Sequence, residues 1–172
     1  LVVTMLLFLV MGVVASAGIA PAEAAPARWW PTYDKNEGKE RSYAVTAIQY
    51  LLRARGHKLN IDGLYGGRTE NAVKAFQRTQ KLTQTGAMNT PTWEALVIPL
   101  KQGSRGDAVR ALQTLLRHEG YGVITDGVFG ATTRAAVLKF QRQRGSTRDG
   151  IVGAFTWCEL VDGSVGQMQE GC

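Results

Sequence analysis

The chain repeats itself at a constant shift of 64 residues, and this duplication constrains its fold more than any other feature. Asp62-Gly63-Leu64-Tyr65-Gly66, Thr69, Ala72-Val73 and Phe76-Gln77-Arg78 recur as Asp126-Gly127-Val128-Phe129-Gly130, Thr133, Ala136-Val137 and Phe140-Gln141-Arg142. The match runs without a gap from Val45–Val97 onto Val109–Val161, with about 40% of positions identical. A register held that long divides the 172 residues into two small modules. Each has about 55–65 residues, near the lower size at which a domain folds alone. Docking of the two on each other, or a covalent staple, would help both.

Each repeat reads as three short helices joined by glycine turns. Val45, Ile48, Leu51 and Leu52 fall at helical spacing with Gly56 as the stop, and Val109, Leu112, Leu115, Leu116 and Gly120 copy them. The second helix buries Ala72, Val73 and Phe76, or Ala136, Val137 and Phe140. The third begins at Thr90-Pro91, with Thr90 as N-cap and proline at the first helical position, and presents Trp93 and Leu96. Its copy presents Trp157 and Leu160 after a turn at Gly153. Strand content is expected to be slight, a short pairing of 59–62 with 85–88. The fold class is mainly α: two tandem small three-helix bundles.

The ends of the chain bound its setting. Residues 1–20 are apolar apart from Thr4 and Ser16, and Ala22-x-Ala24 follows. This pattern reads as a secretory signal peptide over 1–24, with an uncleaved anchor as the competing reading. Residues 25–43 carry no apolar period and read as a linker, in which Trp29 and Trp30 are expected to pack on the first repeat rather than stack on sugar rings. Module 1 is placed at 44–98, module 2 at 99–163, and a tail at 164–172. Cys158 and Cys172 are the two cysteines. In an oxidising compartment they invite a disulfide that closes a loop of about 15 residues. The net charge of +6 suits anionic surfaces. The basic residues are spread along both repeats rather than gathered in a run, so nucleic acid is not the expected partner.

The motif residues have structural work to do. Gly63, Gly66, Gly127 and Gly130 are expected to supply turn conformations that side chains resist. Asp62 and Asp126 can accept from backbone N–H groups two residues on. Thr69 and Thr133 can bond the exposed N–H groups at a helix start. Phe76, Phe140, Trp93 and Trp157 read as core. Chemistry is harder to find. His57 and His118 are not equivalent positions, neither lies in a metal-ligand motif, and Cys158 would need a histidine brought to it by the fold. No metal and no cofactor is expected.

The second repeat resembles the peptidoglycan-binding domain family, three-helix modules attached to bacterial and phage cell-wall hydrolases. The resemblance rests on Gly103-Ser104-Arg105-Gly106-Asp107-Ala108-Val109, Leu112-Gln113, Asp126 to Gln141, Asp149-Gly150-Ile151-Val152-Gly153 and Thr156-Trp157. The first repeat departs at Ser42, Thr85 and Asn89, where the copy has Gly106, Asp149 and Gly153. The resemblance implies binding to peptidoglycan, at glycan strand or stem peptide, with anionic wall polymers as further partners. Groups beside the turns are the expected contacts: Tyr65, Arg68, Gln77 and Arg78, with Phe129, Gln141 and Arg142 in the copy. An arginine fork suits a stem-peptide carboxylate. The reading is an exported, non-catalytic wall protein without stable membrane association after signal removal. Two other classes compete. One is a peptidoglycan hydrolase or its targeting subunit, and the other is a secreted protein-interaction module.

Overall fold

The computed structural model describes residues 30–35 and 42–162, so the 1–24 segment, Trp29 and Cys172 lie outside the described residues. Six helices are found there and no strand: α1 (Tyr43–Ala54), α2 (Gly67–Thr79) and α3 (Thr90–Leu96), then α4 (Asp107–His118), α5 (Ala131–Arg144) and α6 (Ala154–Asp162). Among the described residues no helix is long and apolar enough to cross a membrane.

Each helix follows from local chemistry. Val45, Ile48, Leu51 and Leu52 on α1, and Val109, Leu112, Leu115 and Leu116 on α4, are all buried on one face. Ser42 caps α1 by accepting the Ala44 N–H at 3.2 Å, whereas Gly106 starts α4 without a side-chain cap. The N-cap of α3 is Asn89, one residue ahead of the expected Thr90. Its side-chain oxygen takes the Thr92 N–H at 3.2 Å and the Thr92 hydroxyl at 2.6 Å, which a threonine at 90 would be one position too late to do. Gly56 ends α1 at a φ of 90°, a left-handed turn as expected.

The repeats dock through α1 and α4, the most extensive helix contact in the molecule. The two run antiparallel: Arg53 at the end of α1 forks onto Asp107 at the start of α4 (2.9 and 3.0 Å), and Tyr43 at the start of α1 stacks on His118 at the end of α4. Buried Ala44, Ala47, Ala108 and Ala111 keep the two helices slim. One continuous hydrophobic core results, holding Phe76, Trp93, Phe140 and Trp157 in its two lobes as expected.

The stretch read as a linker is partly a structural piece of the first repeat. Trp30 is buried and stacks on Trp93, with centroids 5.3 Å apart. The Trp93 indole N–H donates to the Pro31 carbonyl at 2.8 Å, and Tyr33 exchanges backbone bonds with Met88. The second repeat repeats this with the inter-repeat connection: Trp157 donates to Ile98, and Leu100 pairs with Val152. Met88 therefore does not pair with 59–62, because Tyr33 occupies its backbone groups.

Candidate functional site

Four buried glutamines organise the turns. In the first repeat the Gln49 amide donates to Asp62 Oδ1 (2.7 Å), the Leu64 carbonyl (3.1 Å) and Thr69 Oγ1 (3.0 Å). Its oxygen accepts the Asp62 and Gly63 N–H groups at 3.0 and 2.9 Å. Gln113 holds Asp126, Gly127, Val128 and Thr133 in the same way. Gln77 and Gln141 do this once more in each repeat, on Thr85-Gly86-Ala87 with Thr92, and on Asp149-Gly150-Ile151 with Thr156. One device, Asp/Thr-Gly-x-x-x-x-x-Thr clamped by a buried glutamine, thus occurs four times. Buried amides bonded at both ends fix a backbone this firmly because leaving them unpaired is costly.

Several expectations are corrected by this geometry. Gln77 and Gln141 are buried with their amides spent on the turns rather than exposed, and Gln141 forms part of the wall of the cleft beside its turn. Tyr65 and Phe129 are also core residues, and the Tyr65 hydroxyl donates inward to the Gly86 carbonyl at 2.9 Å. Thr69 and Thr133 donate to the Leu64 and Val128 carbonyls and accept from the glutamines rather than capping helix N–H groups. Gly63 and Gly127 do need glycine, at φ values of 73° and 78°, but Gly66 and Gly130 sit at −89° and −86° with open space where a Cβ would go. Asp62 and Asp126 accept the N–H two residues on, at 3.0 and 2.8 Å. That bond from Val128, and next the Gln113 amide, hold the Asp126 carboxyl below its ordinary range.

Three of the four clamped turns border a shallow groove between the turn and the helix that follows. In the first repeat the groove at the first turn encloses about 180 Å³ between Asn60, Asp62 and Arg68, the last of these exposed. Its counterpart in the second repeat encloses about 270 Å³, with Ile124 and Thr132 in place of Asn60 and Arg68. The second turn of the second repeat opens a larger one of about 400 Å³ between Ser146, Thr147, Asp149, Ile151 and Phe155. Ile124, Ile151 and Phe155 are the large hydrophobic side chains that stand exposed among the described residues, at 71%, 44% and 40%. All three lie on groove rims. Sequence reasoning missed them, although a signal existed: they fall where the repeats differ, opposite Asn60, Ala87 and Pro91. Arg78 and Arg142 are exposed near the ends of α2 and α5, outside the linings of these grooves.

The groups weighed for catalysis are dispersed. His57 meets Phe76 edge to face and burial pushes its pKa down, while His118 stacks on Tyr43. Cys158 is fully buried, and the other half of the expected disulfide lies outside the described residues. No group of three His, Cys, Asp or Glu among the described residues could hold a metal ion.

A model of the putative peptidoglycan binding domain matches the chain twice, at residues 41–96 and 105–160. The chain belongs to this family and carries two of its domains in tandem. It is 31% identical over 142 residues to the N-acetylmuramoyl-L-alanine amidase CwlM of Mycobacterium tuberculosis, covering 68% of this chain and 35% of the relative. It is also 51% identical over 63 residues to an uncharacterised protein of Kitasatospora aureofaciens, covering 36% of this chain and 53% of that one. A crystal structure of a peptidoglycan-binding protein from Clostridioides difficile shares 39% identity across 37% of this chain and 40% of its own, with a TM-score of 0.37. The chain thus spans about half or less of the length of each of these relatives.

Proposed function

We propose that this chain is an exported, non-catalytic wall protein that adheres to peptidoglycan through both repeats. The observation that carries this reading is the recurrence of one glutamine-clamped turn with an open groove beside it, inside two domains of a peptidoglycan-binding family. Arg68 on the first-repeat groove suits a stem-peptide carboxylate. Arg78, Arg142 and the net charge of +6 supply salt-sensitive attraction, to anionic wall polymers as well. Because α1 and α4 fix the repeats against each other, both can engage one polymer together, and such linkage raises avidity by about 10²–10⁴. In this reading module 1 begins at Trp30 rather than Ala44, and a Cys158–Cys172 disulfide staples the C-terminal end.

A second reading makes the chain the targeting part of a wall-hydrolysing system. The likeness to an amidase of which this chain matches only about a third supports that placement. Co-sedimentation with peptidoglycan stripped of its anionic polymers, across a salt series, tests the primary reading. Retention at high salt is the expected result. Release by physiological salt would leave only charge attraction and would sink specific recognition.

A further inference from the structure

The grooves are built by one device but rimmed by different chemistry, and the difference names a ligand class for one of them. At the second turn of the second repeat, Phe155 and Ile151 stand 40% and 44% exposed across a cleft of about 400 Å³. Neither is needed by the core, and the first repeat has Pro91 and Ala87 at these places. Ser146, Thr147 and Asp149 supply the polar side of the same cleft. Asp149 is the one ionisable group in the lining; its Oδ1 accepts from Gln141 and the Ile151 N–H, which leaves Oδ2 for a ligand. Arg134 lies against the Gly150 turn without lining the cleft. Among the described residues no cation is part of the lining, Arg148 standing exposed on the turn between Thr147 and Asp149.

From this we infer that the cleft takes an uncharged N-acetylated sugar of the glycan strand, not the anionic end of a stem peptide. An exposed aromatic ring beside an isoleucine offers a platform for the C–H face of a pyranose and for an acetamido methyl group. Asp149 and Thr147 offer acceptors to sugar hydroxyls and the acetamido N–H. A carboxylate would instead meet Asp149 with no cation in the lining itself to offset the repulsion. Carboxylate recognition belongs to the first-repeat groove with Arg68, so the two repeats read different parts of one polymer. The inference rests on the peptidoglycan-binding reading above.

The test is an NMR titration of the chain with tri-N-acetylglucosamine and, separately, with a short stem-type peptide ending in a free carboxylate. Co-sedimentation with stripped peptidoglycan is run alongside. The expected result is sugar-induced shift changes centred on Thr147, Ile151 and Phe155. Phe155→Ala should weaken sugar binding by about tenfold and Phe155→Tyr should preserve it. The wild-type shift map stands independently of either variant's folding. Sugar shifts centred on Arg68, peptide shifts centred on Phe155, or sacculus binding without sugar binding would each overturn the assignment and leave the peptidoglycan-binding reading intact. Failure to bind sacculi at all would overturn both.

Discussion

The first and second repeats share their interior and diverge at their rims. The glutamine clamps follow one pattern, from Gln49 and Gln113 to Gln77 and Gln141, and Thr85 does in the first repeat what Asp149 does in the second. Around this shared frame the surface is reassigned. Arg55 caps the end of α3 by donating to the Ala95, Leu96 and Val97 carbonyls, while its counterpart Glu119 pairs with Arg144. Asn60, Ala87 and Pro91 become Ile124, Ile151 and Phe155. Positions that hold the backbone have kept their chemistry because an unpaired buried amide is costly, whereas rim positions carry no such constraint. Identity between the repeats marks the clamp, and difference falls on the groove rims.

The largest difference in stability between the repeats is expected at Trp30. Trp30→Ala should cost about 3–5 kcal/mol, with hydrogen-exchange protection lost in α3 while α6 keeps its own. Equal loss in both repeats would show that 30–35 is not specific to the first. Gln77→Ala and Gln141→Ala should each cost about 2–4 kcal/mol in urea unfolding, because a buried glycine N–H is left without an acceptor. Matched values would confirm that the clamps are equivalent. Gly127→Ala should cost about 1–2 kcal/mol and Gly130→Ala almost nothing, since only Gly127 has a positive φ.

Two smaller effects sharpen the contrast. Helix α5 ends on Gly145 in the left-handed region, and the equivalent residue after α2 is Lys81, held at a φ of 58°. Lys81→Gly should therefore stabilise the protein by about 0.5–1 kcal/mol, read as a higher melting temperature. Glu159 stands where the first repeat has Ala95, and burial pushes its carboxyl above the ordinary range. Its folded pKa exceeds its unfolded one, so the fold binds the proton more tightly and stability falls as pH rises through that window. Glu159→Gln should raise the melting temperature slightly at pH 7 and leave it unchanged below about pH 4.

The helices, their buried faces and the duplicated core could be read from the sequence, because apolar spacing and glycine stops are local signals. The packing of Trp30 on the first repeat could be read as well, but not that 30–35 plays the part of the inter-repeat connection. Residues 30–35 correspond to 97–102 at a shift of 67 instead of 64, and Trp30, Pro31 and Tyr33 face Val97, Ile98 and Leu100 without an identity among them. What the two segments share is a backbone carbonyl offered to a tryptophan N–H, which side-chain identity does not record. The site was half legible. The turns can be read, but Gln77, Gln141, Tyr65 and Phe129 are buried although polar and aromatic residues beside a turn look available in sequence. Only the bonds each glutamine makes show that its amide faces inward.

In the proposed reading, groove rims recognise the wall polymer while the spread positive charge only draws the chain to it. The most direct measurement is the fraction retained on stripped peptidoglycan at low and high salt, for the wild type, Phe155→Ala/Ile151→Ala and Arg78→Ala/Arg142→Ala. The rim variant should bind at low salt and be released at high salt, whereas the arginine variant should lose only the extra retention seen at low salt and keep the high-salt fraction. The reverse pattern, with high-salt retention resting on Arg78 and Arg142, would contradict the proposed reading.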